Sequence, residues 1–590
     1  MTIARLDDYF PKDNAAHTNL KGSPDSSQKT LQPPQVEAKE NPAEKEVLQN
    51  LPPSYFVSAT YDGNANLACI KLYEPVSKRI YRWYDNTGHK PYCLTNVTPE
   101  ELEKIPRVVN HPGFDHAEIV EKYDAINDEM IKVTKVVAKD PLSIGGRPKG
   151  CLRDIIPEEY PKIFGSEKEP KVWEAAIKYY QCYIFDRRLL PGMLYEIKDG
   201  ELIPAVNEEA EKNIKVILQT AFKNEPEDLL PFLESWIRLL EYPAPDMKRV
   251  ALDIEVYSPV ATRVPDAEEA PYPILCACLV DSEGNRRVLL LRREEGEEEL
   301  NLPKDVKVEF YSSERDMLAA IFKAIDEYPF VITFNGDDFD LRYLYHRAQR
   351  MGFQRGEIPI EPGRRVYLLK NGIHIDLYKF FFNKSIQIYA FSQKYRNVTL
   401  DEVATAILGK PKLEISKPIS ELTYSELAKY CLNDAEITLG LTSFDDDLVM
   451  KLLLVLTRIS KMPMEDVSRQ GVSRWIRTFM EYEHRKRNML IPNQEDIIAA
   501  KGKTVTTAII KGKKYKGAIV VEPVPGIHFN VAVMDFQSLY PSIIKVHNLG
   551  YQSVRCPHEE CKKNIVPGTP HWICTKHRAL ESALIGSLRD

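Results

Sequence analysis

Three acidic patterns and one cysteine-rich pattern hold the residue types that could do chemistry in this chain. The first acidic pattern is LDIEV, with Asp253 and Glu255. On a strand, residues i and i+2 point to one face, so both carboxylates leave the same side of an otherwise apolar segment. The second is FNGDDFD, with Asn335, Phe339 and Asp340, placed where the apolar run FVIT gives way to a helical pattern. Asn-Gly supplies a turn there, and acids favour the start of a helix. The third is YCLNDAEIT, in which Tyr430 and Asp434 are four apart and share one helical face. Each pattern alone also reads as ordinary structure: a polar strand edge, a helix start, a packing pair. Together they are a stronger signal, because carboxylates gathered in one place are costly to keep without metal ions. Nearer the end, Cys556-x4-Cys561-x12-Cys574-x2-His577 has ligand types and spacing compatible with tetrahedral zinc. His558 and His571 are alternative fourth ligands, and a disulfide or free thiols are the other readings.

The elements that must position these residues follow from the pattern of the chain. Its 590 residues are 43% hydrophobic, enough for three or four packed domains. The net charge of −7 excludes a uniformly basic nucleic-acid binder, so any DNA contact must come from local basic grooves. Segment 1–50 is poor in apolar residues after Phe10 and reads as a disordered tail. Segment 51–246 opens with strand-like runs (SYFVSATYD, LACIKLYE, RIYRWYD) and ends in the helical DLLPFLESWIRLLEY. From 247 to 440 strands and helices alternate, which predicts an α/β domain around a mixed sheet. Segment 441–475 is a helical return, and 476–590 leads into VAVMDFQSLYPSII, read as a buried strand delivering Asp535 to a helix entry. Arg485, Lys486 and Arg487 in YEHRKRN read as an ordinary helix face. No apolar run reaches membrane-spanning length, no signal peptide is present, and the remaining cysteines, Cys276 and Cys278 among them, read as buried thiols.

Taken in order, Asp-x-Glu, Asn-x3-Phe-Asp and Tyr-x3-Asp resemble the DEDD exonuclease domain of family B DNA polymerases, of the type with a tyrosine in its third motif. MDFQSLYPSI resembles motif A of the same family. The resemblance runs from about residue 51 onward and, in DIEVYSPV, HIDLYKFFFNK and EHRKRNMLIP, looks nearest to the replicative enzymes of crenarchaea. It implies an α/β and α+β multidomain architecture: an N-terminal domain, an RNase H-like 3′–5′ exonuclease domain and an incomplete palm. By this resemblance Asp253, Glu255, Asp340 and Asp434 hold two Mg2+ or Mn2+ ions, and Tyr430 orients the attacking water. Asn335 and Phe339 position an unpaired 3′ end. Asp535 and the Phe536 carbonyl bind polymerase metals, the backbone at Ser538 and Leu539 meets the dNTP, and Tyr540 excludes the ribose 2′-hydroxyl.

Upstream, KGKKYKGAIVVEPVPG resembles the family's Tyr-x-Gly-Gly element with Ala518 at the second glycine; Lys511, Lys513, Lys514 and Lys516 could neutralise DNA phosphates. Leu6, Tyr9 and Phe10 have the spacing of a sliding-clamp-binding peptide, with Ile3 in place of the usual glutamine. The fingers motif Lys-x3-Asn-Ser-x-Tyr-Gly and the Asp-Thr-Asp turn do not occur in this sequence. The expectation is therefore a DNA polymerase with proofreading, truncated or the large piece of a split enzyme with a separate C-terminal fragment. Its partners would be primer–template, single-stranded DNA and dNTPs, with no membrane, and its setting the cytoplasmic nucleoid. A stand-alone exonuclease and a non-catalytic scaffold are the alternatives.

Overall fold

The computed structural model describes residues 48–590 except 148, 225–226, 228, 260–263, 294–299, 416, 503–506, 511–512, 517–522, 537, 568 and 590. The expected tail with Ile3, Leu6, Tyr9 and Phe10, together with Lys511 and Ala518, lies outside the described residues.

The N-terminal third is built on two antiparallel sheets. Strands β1 (Leu51–Asp62), β2 (Leu67–Glu74) and β3 (Arg79–Tyr84) form a meander. A second sheet has the order β5-β6-β4-β7, from β4 (Tyr92–Thr95), β5 (Phe114–Asp124), β6 (Glu129–Ala138) and β7 (Val172–Trp173). Strands β8 (Leu194–Lys198) and β9 (Glu201–Pro204) return to the first, giving β3-β2-β1-β8-β9. The β5–β6 hairpin turns at Asp128, whose φ of 58° lies in the left-handed region that aspartate tolerates.

The central domain is a six-stranded sheet made of β10 (Arg249–Val256), β11 (Ile274–Asp281), β12 (Arg286–Leu291), β13 (Val306–Tyr311), β14 (Phe330–Thr333) and, after the small hairpin β15 (Ile360–Pro362) and β16 (Tyr367–Leu369), β17 (Ile373–Asp376). Their order is β13-β12-β11-β10-β14-β17. β10 pairs antiparallel with β11 and parallel with β14. Alternation along β10 divides the domain. Val250, Leu252 and Ile254 pack with Met317, Leu318, Ile321 and Leu344 of the helices Glu314–Glu327 and Asp340–Arg350. Asp253 and Glu255 leave the other face, where Cys276 and Cys278 of β11 meet Leu427, Ala428, Cys431 and Leu432 of the Tyr424–Ser460 helix. Burying each of these larger apolar side chains contributes roughly 1.5–3 kcal/mol, so the carboxylates stand on a stiff platform.

The Tyr424–Ser460 helix starts with a capping box, Thr423 with Glu426, and breaks at Phe444–Asp447, where three successive aspartates have positive φ. Arg249 is buried against that break and bonds Thr442, Ser443 and Asp447. Helices Met464–Arg469, Val472–Lys486 and Gln494–Lys501 follow. The expected ordinary face at YEHRKRN is not formed. Arg485 is buried, at 2.5 Å from Glu174 and 2.6 Å from Asp186, and also donates to the Tyr92 hydroxyl. An amphipathic pattern could not reveal this, because both acids come from a segment some 300 residues away in sequence.

The C-terminal segment holds the hairpin β18 (Thr507–Ile510) and β19 (Lys513–Lys516) and the helices Leu539–Val546 and Leu580–Arg589. The strand expected to deliver Asp535 is not formed. Residues 531–536 belong to no strand, and Val533 and Met534 are 89% and 92% exposed. The apolar run is there, but a strand also needs neighbours for its N–H and C=O groups, and none pairs with it among the described residues. Among those residues, no helix is long and apolar enough to cross a membrane.

Candidate functional site

The three acidic motifs converge on the C-terminal half of β10. Asp253 lies opposite Cys278 and Glu255 opposite Cys276 in the β10–β11 ladder, so these four side chains share a face. The Tyr424–Ser460 helix crosses that face, and the Cys431 thiol donates to the Asp253 carbonyl oxygen at 3.4 Å. One turn on, Asp434 reaches the strand carboxylates: ligand oxygens of Asp253, Glu255 and Asp434 all lie within 4.8 Å of one another. Asp340, first residue of its helix, stays outside that group and accepts from the Ile254 amide at 3.3 Å.

The turn that carries Asn335 is set from below. Asn335 has φ of 76°, and both Asp338 and Phe339 amides donate to its carbonyl. Gly336 follows because a Cβ there would stand 2.2 Å from the Thr333 hydroxyl. Asp376, at the end of β17, accepts from the Asn335 and Asp337 amides at 2.9 and 3.0 Å. Asp337 in turn is pinned by Arg469 and Lys379 at 2.7 and 3.1 Å. Neither acid was singled out by sequence; the aspartate in HIDLYK at the end of an apolar strand is the signal that could have found Asp376. Phe339 rests on Tyr343 with ring centroids 5.7 Å apart.

Lys412 also escaped the sequence reading. Its ammonium is 2.5 Å from Asp434 Oδ2 and 4.6 Å from the centre of the Tyr430 ring. It sits in the loop KPKLEISKP, where nothing in spacing or periodicity distinguishes one lysine from the next.

The electrostatics of the cluster are those of a cation site. Burial, then the neighbouring acids, push the Asp253 and Glu255 carboxyls well above the usual carboxylate range. Burial raises Asp340 to about 7. It raises Asp434 as well, opposed by Lys412. Burial lifts the Tyr430 phenol to about 12. Asp253 Oδ2 and Asp434 Oδ1 are buried with no hydrogen-bond partner among the described residues. Unpaired, mutually repelling carboxylate oxygens on a rigid frame fit hard divalent cations.

Elsewhere, the cysteine pattern closes into a compact cluster. Cys556, His558, Cys561 and Cys574 have all their ligand atoms within 4.8 Å. His558 Nδ1 is 3.5 Å from Cys574 Sγ and 3.8 Å from Cys561 Sγ. His577, expected as the fourth ligand, turns away: its backbone amide, not its ring, meets Cys574 Sγ, and its ring is 3.2 Å from Asp128. All ten cysteines are free, so no disulfide is formed here. Asp535 and Tyr540 are exposed, and Asp535 joins no three-residue ligand group among the described residues. Side chains of Lys513, Lys514 and Lys516 lie outside what is described.

Residues 170–403 match the exonuclease domain of DNA polymerase family B, and residues 462–581 match the DNA polymerase family B domain itself. Crenarchaeal proteins named DNA polymerase 1 are similar along most of this chain: those of Sulfolobus acidocaldarius and Aeropyrum pernix are 42% and 40% identical across 91% of it.

The chain belongs to DNA polymerase family B.

It spans 59% and 54% of those two relatives' lengths. The fold agrees: the structure of the family B DNA polymerase from Pyrobaculum calidifontis superposes with TM-score 0.61 at 19% identity, over 91% of this chain and 62% of that one. The exonuclease-domain match of this family B chain stops at residue 403. Tyr430 and Asp434 are brought to the site by the geometry of the helix, independently of that match.

Proposed function

We propose that this chain removes nucleotides from DNA 3′ ends and forms the proofreading portion of a DNA-directed DNA polymerase. The supporting observation is the Asp253, Glu255 and Asp434 cluster, in which Asp253 Oδ2 and Asp434 Oδ1 are buried with no hydrogen-bond partner among the described residues. These three and Asp340 would hold two Mg2+ or Mn2+ ions. When bound, the ions would supply an activated water and stabilise the leaving 3′ oxygen of an in-line displacement. The protein's own groups do the rest. Tyr430, set by its helix beside the acids, orients the attacking water through its hydroxyl. Asn335 and Phe339 hold the unpaired 3′ nucleotide, and stacking on an aromatic ring such as Phe339 contributes about 1–3 kcal/mol per base. Lys412 offsets part of the cost of burying charge on Asp434.

The polymerase assignment draws on motif A. Asp535 and the Phe536 carbonyl would bind catalytic metals, Ser538 and Leu539 the triphosphate, and Tyr540 the sugar. Lys511, Lys513, Lys514 and Lys516 would neutralise template phosphates, and Leu6, Tyr9 and Phe10 would dock on a sliding clamp. Cys556, His558, Cys561 and Cys574 would hold a structural Zn2+. Primer–template, single-stranded DNA and dNTPs are the ligands, in the nucleoid, with a separate C-terminal fragment as one source of the remaining catalytic groups. A narrower reading, exonuclease alone, is favoured by one contrast: the exonuclease acids are gathered, whereas Asp535 is solvent-exposed and joins no three-residue ligand group among the described residues.

The test uses single-stranded DNA labelled at its 5′ end. A ladder of shortened, still-labelled products that appears with Mg2+ and vanishes with chelator supports the proposal. Label released at once as a mononucleotide means the opposite polarity, and no degradation in Mg2+ or Mn2+ overturns it.

A further inference from the structure

The cysteine cluster meets the N-terminal domain at Asp128, which faces both His558 and, at 3.2 Å, the His577 ring. His558 presents Nδ1 to the thiols and Nε2 to Asp128 Oδ2 at 2.6 Å, across 430 positions of sequence. With Nε2–H donating to the carboxylate, Nδ1 carries its lone pair toward the sulfurs, the tautomer a metal ligand needs. The distances suit a tetrahedral ion. Metal–sulfur and metal–nitrogen bonds of about 2.3 and 2.05 Å give an S···N edge of about 3.6 Å. The observed values are 3.5 and 3.8 Å. Asp128 itself is fixed at the β5–β6 turn, where the Tyr123 hydroxyl donates to it. That hairpin is also tied to the chain ahead of the cluster: the Tyr123 amide donates to the Asn488 carbonyl and the Leu490 amide to the Tyr123 carbonyl, both at 3.0 Å.

We propose that the cluster is a metal-dependent clasp between the polymerase segment and the N-terminal domain, with His558 as fourth ligand and Asp128 as the residue that positions it. This rests on the zinc reading given above and adds to it a partner carboxylate and a mechanical role. An outer carboxylate fixes ring orientation and raises the basicity of the ligating nitrogen, and removing one typically costs 10–100-fold in metal affinity. The same hydrogen bond works in reverse. Once the ion fixes the imidazole, the ring holds the β5–β6 turn, so metal occupancy governs how firmly residues 124–129 are docked.

The experiment loads the 590-residue chain with Zn2+ and follows two quantities: transfer of the metal to a competing chelator, and hydrogen exchange of residues 124–129. Asp128→Gly removes the carboxylate yet accepts the left-handed backbone without strain, and Asp128→Asn keeps an acceptor oxygen in the same conformation. We expect D128G to bind one zinc but yield it 10–100-fold more readily, with D128N in between, and His577→Ala to match the unsubstituted chain. Exchange at 124–129 should rise when zinc is stripped from the unsubstituted chain, and be already high in loaded D128G. Zinc held equally tightly by D128G, or exchange indifferent to metal, overturns the clasp while leaving the zinc site standing. Loss in H577A equal to that in D128G overturns His558 as the ligand. A chain that takes up no zinc overturns the reading beneath both.

Discussion

Asp340→Asn should stabilise the metal-free protein above neutral pH while abolishing the proposed nuclease activity. Asp340 is 5% exposed, and burial raises its carboxyl from 3.8 to about 7. At 1.36 kcal/mol for each tenfold, that displacement is a preference of about 4 kcal/mol for the neutral form. The sign follows from proton uptake. Between those two pH values the folded protein holds a proton that the unfolded chain has released, so the stability present below pH 4 is lost as pH rises through 7. Asparagine carries no charge and can still accept from the Ile254 amide. In chelator at pH 8 the variant should therefore melt higher, by roughly 10 °C at about 2–4 °C per kcal/mol for a domain of this size. At pH 5, only about one unit above the unfolded value, the gain should shrink to less than half of that, and below pH 4 the two should melt together. Adding Mg2+ at pH 8 should recover stability in the unsubstituted protein far more than in the variant, because an ion that binds only the folded state stabilises by mass action. Scanning calorimetry at the two pH values, with and without Mg2+, decides it. No gain at pH 8, or the same gain at pH 5, would refute the argument that burial of this charge is what the metals offset.

Three further outcomes are expected. Lys412→Met should lower metal-free stability near neutral pH by about 1.5–3 kcal/mol, the worth of a charged hydrogen bond, with Mg2+ restoring much of it; a silent substitution in calorimetry would mean that the ammonium does not serve Asp434. Arg485→Met should cost about 3–5 kcal/mol by leaving Glu174 buried without its partner, readable as a lowered urea midpoint. Residues 1–590 alone should extend primers undetectably, and in an enzyme completed by the missing polymerase motifs Asp535→Ala should end synthesis but spare degradation, while Tyr540→Ala should admit ribonucleotides; primer extension by the chain alone would show that a second metal-binding acid has been overlooked.

Much of this arrangement could be read from the chain because it depends on local periodicity. The i, i+2 spacing put Asp253 and Glu255 on one face of β10, and the i, i+4 spacing put Tyr430 beside Asp434, as the structure has them. The strand-turn-helix around Asn335 was equally legible, since Asn-Gly has few other uses between an apolar run and a helix. What could not be read depends on contacts between distant segments. Lys412, Asp376 and the burial of Arg485 follow from which elements happen to meet, and no spacing encodes that. That His558 faces the thiols while the His577 ring faces Asp128 is likewise a matter of contacts with the N-terminal sheets. Asp535 illustrates the converse. Its flanking valines and methionine carry a strand pattern, but pattern without a neighbouring strand leaves the segment unpaired.

The central claim is that the gathered carboxylates are a nuclease and not merely a strained corner of the fold. Its most direct measurement is single-turnover removal of a mismatched 3′ nucleotide by Asp253→Ala, Glu255→Ala in excess over labelled primer–template with Mg2+. The account predicts that excision falls below detection while circular dichroism and DNA binding stay as in the unsubstituted protein. Excision at the unsubstituted rate by the doubly substituted chain would contradict it.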